Sequence, residues 1–263
     1  TMIFTLDYLI WRIFFTIPKE EGILSVIFWA ILLIAECVGL LEMAVHFYNM
    51  YDYDRVNLHT PYMKKEDLPE VDVFIPTINE DITLLEKTLY ACKQMEYPDK
   101  NKVHIYLCDD GNRQEVKELA EKMLIYYVTR SEHKDAKAGN LNYALQKSSS
   151  PYIAVFDADM MPKKKFLMRT IPWFSKEQIG FVQTPQNFYY PDLFQYNLYA
   201  SDHIPNEQDY FYKVVQVAKN KSNSVIFGGS NAVLSRKALE ETGGFVTGVV
   251  TEDFATGIEI EKK

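Results

Sequence analysis

Little in this 263-residue chain points to the commoner ways of building a site. The three cysteines, Cys37, Cys92 and Cys108, stand far apart and form no CxxC. That spacing does not match a secreted disulfide framework, and it suits a reducing compartment. The five histidines, His46, His59, His104, His133 and His203, form no HxxxH pair and no cluster with cysteine, which argues against zinc. Positive charge is in deficit, with 28 Lys and Arg against 36 Asp and Glu and a formal net charge of −8. Surfaces that hold nucleic acid are usually basic, so no nucleic-acid partner is expected. Neither GxGxxG nor GxxxxGK[ST] occurs, which disfavours a dinucleotide dehydrogenase and a P-loop ATPase.

Apolar sequence, by contrast, is plentiful. Hydrophobic residues make up 48% of the chain, ample for a core. From Gly22 to Val45 the run is nearly unbroken, and a bilayer needs only about 20 such residues. Glu36 interrupts it and would cost roughly 2.5–3.5 kcal/mol if central and lipid-facing, so it is expected to face protein. Glu42 can sit near the interface. The stretch from Met2 to Ile17 is also apolar, short for a lone span, and broken by Asp7 and Arg12. With the polar turn Pro18–Gly22 between them, the two read as a transmembrane helical hairpin over residues 1–50. A buried soluble hairpin is the competing reading. A signal peptide fits less well, for want of a small-residue cleavage site. Residues 51–70 are polar, charged and aromatic, as expected of a linker at a membrane surface. Their basic residues, Arg55, Lys64 and Lys65, place the domain that follows on the cytoplasmic side of the cell membrane. The chain opens on Thr1-Met2 and stops at Glu261-Lys262-Lys263 with no closing signal. It is therefore expected to be part of something longer.

Beyond Pro69 the pattern alternates. Strands are expected at Val71–Pro76, Val103–Cys108, Ile125–Val128, Tyr152–Phe156, Ile179–Gln183 and Val225–Asn231. Helical spacing falls at Ile82, Leu85, Leu89 and Cys92, capped near Asn79 or Asp81. It recurs at Val116, Leu119, Ala120 and Met123, and at Ala138, Leu141 and Leu145. A later helix presents Ile204, Phe211, Val214, Val215 and Ala218, with Pro205 at its start. Strand–helix alternation predicts an α/β domain over 71–263 with a largely parallel sheet. The aromatic stretch Asp192–Tyr199 could lie at a membrane interface or pack in a core.

In such sheets ligands sit beyond the carboxyl ends of the strands. Thr77-Ile78-Asn79-Glu80, Asp109-Asp110-Gly111 and Asp157-Ala158-Asp159 all stand there. A lone DxD is weak, more often solvated loop than site. If the extended geometry persists past Phe156, Asp157 and Asp159 share a face and repel unless a cation lies between them. Mg²⁺ or Mn²⁺ would resolve that repulsion. Lys137 sits near a helix start, where a cation and free N–H groups suit a diphosphate. On its own, Lys137 would read as solvated, and the acids of Thr251-Glu252-Asp253 as partners of a helix dipole.

Taken in order, these motifs resemble glycosyltransferase family 2, and within it the processive synthases typified by bacterial cellulose synthase. Carrying the resemblance are Tyr8–Arg12, Thr16–Pro18, Ala35-Glu36, Pro76–Glu80, Asp109–Gly111, Ala136–Leu141, Asp157–Asp159, Gln183–Gln186, Asn206-Glu207-Gln208, Phe227–Ser230 and Thr251–Asp253. Ile78 stands where the family's Pro-Thr-Tyr-Asn-Glu has tyrosine, and Gly228 where its Phe-Cys-Gly has cysteine. The QxxRW motif and the channel helices would follow Lys263, and no cyclic-di-GMP-binding domain is included. The resemblance implies a GT-A fold and a UDP-sugar donor, with Thr77, Glu80 and Asp110 at the uridine and Lys137 at the diphosphate. It places Asp157 and Asp159 at the metal–diphosphate, Asp253 as general base, and Phe227, Gly228, Gly229, Ser230 and Glu252 beside the acceptor. The activity it implies is inverting polymerisation of a cellulose-like β-1,4-glucan from UDP-glucose. Membrane lipid, the growing glycan and co-polymerase or secretion subunits are the implied partners. The alternatives are a synthase of another β-polysaccharide, a non-processive lipid-linked transferase, and an inactive nucleotide-binding scaffold.

Overall fold

A computed structural model describes residues 2–53, 58–176, 178–200 and 202–263, apart from the side chains of Met2, Ile3 and Glu207. Arg55 and the Glu207 side chain, both used above, lie outside the described residues. The chain divides into two compact units, Thr1–Asp54 and Arg55–Lys263.

The first unit is two helices, α1 (Met2–Phe15) and α2 (Ile23–Met50). Pro18 and Gly22 fall between them, and Gly22 precedes α2 at φ +88°, where a side chain would be strained. The polar residues inside the apolar run find each other. Arg12 Nε donates to both Glu36 oxygens, at 3.2 and 3.1 Å. Arg12 and the Trp29 indole N–H both donate to Thr16 Oγ1, at 2.8 and 3.0 Å. Glu36 thus faces protein, as its cost in lipid requires. Of the α2 residues only Asn49 is buried. The apolar residues of α2 are mostly exposed within this unit. Among the described residues α2 is the one helix long and apolar enough to cross a membrane, with a mean hydropathy of 2.5. The 14 residues of α1 would rise only about 21 Å.

The second unit runs β1 (Val71–Thr77), α3 (Ile82–Lys93), β2 (Val103–Asp109), α4 (Gln114–Lys122), β3 (Tyr126–Val128), α5 (Ala136–Gln146), β4 (Tyr152–Val155), α6 (Phe166–Thr170) and β5 (Phe181–Gln183). It continues with α7 (Leu193–Asn197), α8 (Glu207–Tyr210), α9 (Gln216–Lys219), β6 (Ala232–Ser235), α10 (Arg236–Thr242) and α11 (Glu252–Glu261). The sheet order is β3-β2-β1-β4-β6-β5. All neighbours are parallel except at β6, which is antiparallel to both β4 and β5. Both faces are covered, so the central strands read as continuous apolar runs. Val73, Ile75, Leu107 and Ala154 pack with Leu85, Leu89, Val116 and Leu167 on one side. Phe74, Cys108, Ile153 and Val155 pack with Leu141, Phe227, Leu234 and Phe245 on the other. The unit begins before Val71, since Leu68 is already core and its carbonyl accepts Lys102 Nζ at 2.6 Å.

Three expectations are corrected. Val225–Asn231 is not a strand. Gly229 and Asn231 take φ of +73° and +54°, which breaks extended geometry, and pairing starts at Ala232. The amide of Gln216 holds Ile226 instead, accepting its N–H at 2.9 Å and donating to its carbonyl at 2.7 Å. The helix expected from Pro205 starts at Glu207 and contains a π segment, Phe211–Val215. Tyr212, Gln216 and Ala218 are its buried positions, Phe211, Val214 and Val215 are half-buried, and Ile204 precedes the helix and is exposed. Finally, β4 ends at Val155 and the chain turns, with Met160 N–H donating to Asp157 O at 3.0 Å. The strand period therefore does not carry from Asp157 to Asp159.

Candidate active site

The register aligns the strand ends that carry the acids. Thr77 pairs with Asp109 across β1 and β2, and Phe74 pairs with Val155 across β1 and β4. Thr77, Asp110 and Asp157 therefore emerge at one edge. Below the edge, Thr88 of α3 donates to Ala158 O at 2.7 Å, tying the turn between Asp157 and Asp159 to the core. Asn140 of α5 donates to Cys108 O at 2.7 Å, which fixes the start of α5 against the end of β2.

At the β1 end, Glu80 closes a ring. Its carboxylate accepts Thr77 Oγ1 at 2.6 Å and the N–H groups of Ile78 and Asn79 at 2.8 and 3.2 Å. Burial raises the Glu80 pKa, but these bonds outweigh it and hold the carboxyl below its ordinary value. Arg113, which no sequence motif marks, donates to Thr77 Oγ1, to Glu80 O and to buried Asp109. Asp110 is nearly buried and meets Arg130 through both oxygens, each at 2.7 Å.

A second group gathers around β4. The Lys137 amine binds Asp157 and donates to Gly229 O at 2.9 Å. Asp157 N–H donates to Ser230 Oγ at 2.9 Å. Asp253, in the first turn of α11, lies over Gly229, where an added Cβ would stand 2.8 Å from its Oδ2. The Asp157 pKa is raised, first by burial and then by the charges of Asp159 and Asp253, with Lys137 opposing. Burial, and then the charges of Asp253 and Asp157, push the Tyr212 hydroxyl up.

The acceptor-side residues separate. The Phe227 side chain is 1% exposed and packs between Phe181 and Phe245, so it supports the site from beneath and lines no open surface. Ser230 is fully buried and anchors Asp157. Gln183 braces the glycine pair, accepting Gly228 N–H and donating to Ser230 O, both at 2.9 Å. An added Cβ on Gly228 would come within 2.9 Å of the Tyr212 hydroxyl. Glu252 is half-buried, and its carbonyl accepts Thr256 Oγ1 at 2.6 Å.

Among the described residues no three acidic, cysteine or histidine side chains converge as a closed metal site. Mg²⁺ and Mn²⁺ do not need one, because one or two carboxylates plus substrate phosphates suffice. The three carboxylates Asp157, Asp159 and Asp253, set against the single Lys137 amine, leave an excess of negative charge that fits such a shared ion.

Residues 72–243 match the Glycosyl transferase family 2 model. The chain belongs to this family. Asp253 lies beyond the matched span, but the relatives extend over it. The chain is 36% identical to the cellulose synthase 1 catalytic subunit (UDP-forming) of Komagataeibacter xylinus, over 98% of this chain. It is 35% identical to the cellulose synthase catalytic subunit (UDP-forming) of Pseudomonas fluorescens, over 100% of this chain. In each case it spans 35% of the relative's length. Among solved structures, a Pyrobaculum calidifontis mannosyltransferase in complex with GDP-Man and Mn²⁺ has a TM-score of 0.60 at 25% identity, covering 86% of this chain and 63% of that one. S. aureus TarS 1–349 with UDP-GlcNAc shares the fold at a TM-score of 0.53 and 12% identity, over 73% of this chain and 53% of that one. The GT-A fold expected of family 2 is thus the fold observed.

Proposed function

We propose that the chain carries the donor site and general base of a membrane-bound inverting glycosyltransferase that builds a cellulose-like β-glucan from UDP-glucose. The observation that supports it best is the convergence of Lys137, Asp157, Gly229 and Asp253 from four separate segments on one sheet edge. The UDP-forming cellulose synthases at 35–36% identity favour UDP-glucose as donor.

On this reading Thr77, Glu80 and Asp110 hold the uridine, and Arg113 keeps the first two in place. Lys137 meets the diphosphate. Asp157 and Asp159 would hold a divalent ion whose charge helps the diphosphate leave. The bond from the anomeric carbon to the diphosphate oxygen breaks with its electron pair passing to UDP. The acceptor hydroxyl oxygen bonds to that carbon from the opposite face, and its proton passes to the Asp253 carboxylate. One displacement inverts the centre and needs no covalent intermediate. The helical hairpin would anchor the domain on the cytoplasmic side, with the growing glycan and membrane lipid as partners. The linker before Leu68 would run along the membrane surface.

The test is UDP release and labelled-glucan formation from UDP-glucose by the full-length protein in lipid nanodiscs with Mg²⁺, against a panel of other UDP-sugars. Insoluble β-1,4-linked product is expected. Transfer of a single sugar to lipid would overturn processive synthesis, and no UDP release from any donor would overturn the enzyme.

A further inference from the structure

The loop before α5 is organised around Arg130, to which no role has been assigned. Its guanidinium meets both oxygens of Asp110, and the pair is almost dry, with side-chain exposures of 8% and 7%. The same guanidinium donates to Lys134 O at 2.6 Å and to Ala136 O at 2.9 Å. Arg130 therefore spans from the end of β2 to the first residue of α5. The loop it bridges is strained, since Asp135 and Ala136 take φ of +61° and +41° without being glycine. Lys137 follows at once.

Gly139 supplies a separate observation. It is an ordinary helical glycine by backbone angle, yet an added Cβ would stand 2.1 Å from Lys134 O and 2.5 Å from an Arg130 nitrogen. The helix has no side chain there because the guanidinium and the Lys134 carbonyl occupy the space. A helix-weakening residue in the first turn of α5 thus has a geometric cause.

We propose that Arg130 is a positioning residue for the donor. It fixes the Asp110 carboxylate and the strained turn that aims Lys137 as one unit, so that the nucleoside and diphosphate contacts keep a set separation. The inference rests on the donor site proposed above. A lysine cannot replace Arg130, because one ammonium cannot present a planar fork to a carboxylate and also reach two carbonyls.

The test uses full-length protein in nanodiscs, with UDP affinity by calorimetry and steady-state glucan synthesis. Arg130→Lys keeps the charge and loses the fork. Gly139→Ala leaves Arg130 chemically intact but crowds both its guanidinium and the Lys134 carbonyl it holds. Each is expected to weaken UDP binding and raise the donor KM by about tenfold, roughly one good hydrogen bond to a charged group, with kcat within threefold of wild type. The double variant is expected to lose little more than either single one, because both break the same contact. Unchanged UDP affinity in both single variants, or a loss confined to kcat, would overturn the inference while leaving the donor site standing. A wild-type protein that binds no UDP would overturn both. A lower melting temperature with normal UDP affinity would assign Arg130 to stability alone and also overturn it.

Discussion

Replacing Lys137 by methionine removes the one cation in the β4 group while keeping most of the side-chain volume. Asp157 would then face Asp159 and Asp253 without compensation. Breaking a buried pair costs about 3–5 kcal/mol, and an exposed pair is worth about 0–1. Lys137 and Asp157 are 30% and 35% exposed, so the loss lies between these limits. We expect about 1–2 kcal/mol, discounted for solvent screening, which for a domain of this size lowers the melting temperature by roughly 2–8 °C. The pH dependence has a definite sign. The Asp157 pKa is already raised, and removing Lys137 raises it further. A carboxyl whose folded pKa lies above its unfolded value binds more protons when folded, so stability falls as pH rises through that window. The deficit of Lys137→Met should therefore be largest at neutral pH and shrink on acidification toward the ordinary carboxylate range. On the proposed mechanism synthesis should fall on the order of 100-fold or more, since the charge assigned to the leaving diphosphate is lost. Thermal unfolding between pH 4 and 8, with turnover measured alongside, checks both parts. A deficit that grows on acidification, or wild-type synthesis, would refute the reasoning.

Two further outcomes follow from the same contacts. Gly229→Ala places a methyl group 2.8 Å from Asp253 Oδ2 at a φ of +73°. It should cut glucan synthesis about 100-fold through a shift of order 1 Å while UDP binding persists, and wild-type rates would contradict it. In the hairpin, Arg12→Met strands Glu36 in apolar surroundings and should reduce membrane insertion, by up to roughly 2.5–3.5 kcal/mol. Adding Glu36→Gln should restore most of it, as measured by the inserted fraction; unchanged insertion of the single variant would show that the pair does not matter.

What could be read from the sequence depended on how local the cause was. The spacing of Leu85, Leu89 and Cys92 reports one helix against one sheet face, and the structure buries all three. Asp81 caps that helix through Thr83 N–H, again within a few residues. Val225–Asn231 has a strand's composition, but its partners are amides of Gln183 and Gln216, and its backbone turns at Gly229 and Asn231. No local pattern announces partners 10 to 45 residues away. Ile204 missed the expected helical face for a different reason, since the helix starts only at Glu207, after it. At the site, the acids were legible as strand ends, while Arg113 and Arg130 were not. An arginine shows its purpose only when the carbonyls and carboxylates it spans have been brought together. The Gly139 signal was present in the sequence as a glycine inside a helix, but its cause lies in Arg130 and Lys134.

On the proposed mechanism, Asp253 takes the acceptor proton at a UDP-sugar site it shares with Lys137 and Asp157. Asp253→Asn tests it most directly, since the amide keeps the shape over Gly229 and cannot accept the proton. In full-length protein in nanodiscs, UDP affinity is expected to stay within about threefold of wild type, no more than one weak hydrogen bond's worth, while labelled-glucan synthesis from UDP-glucose disappears. Glucan synthesis at the wild-type rate by Asp253→Asn would contradict the account.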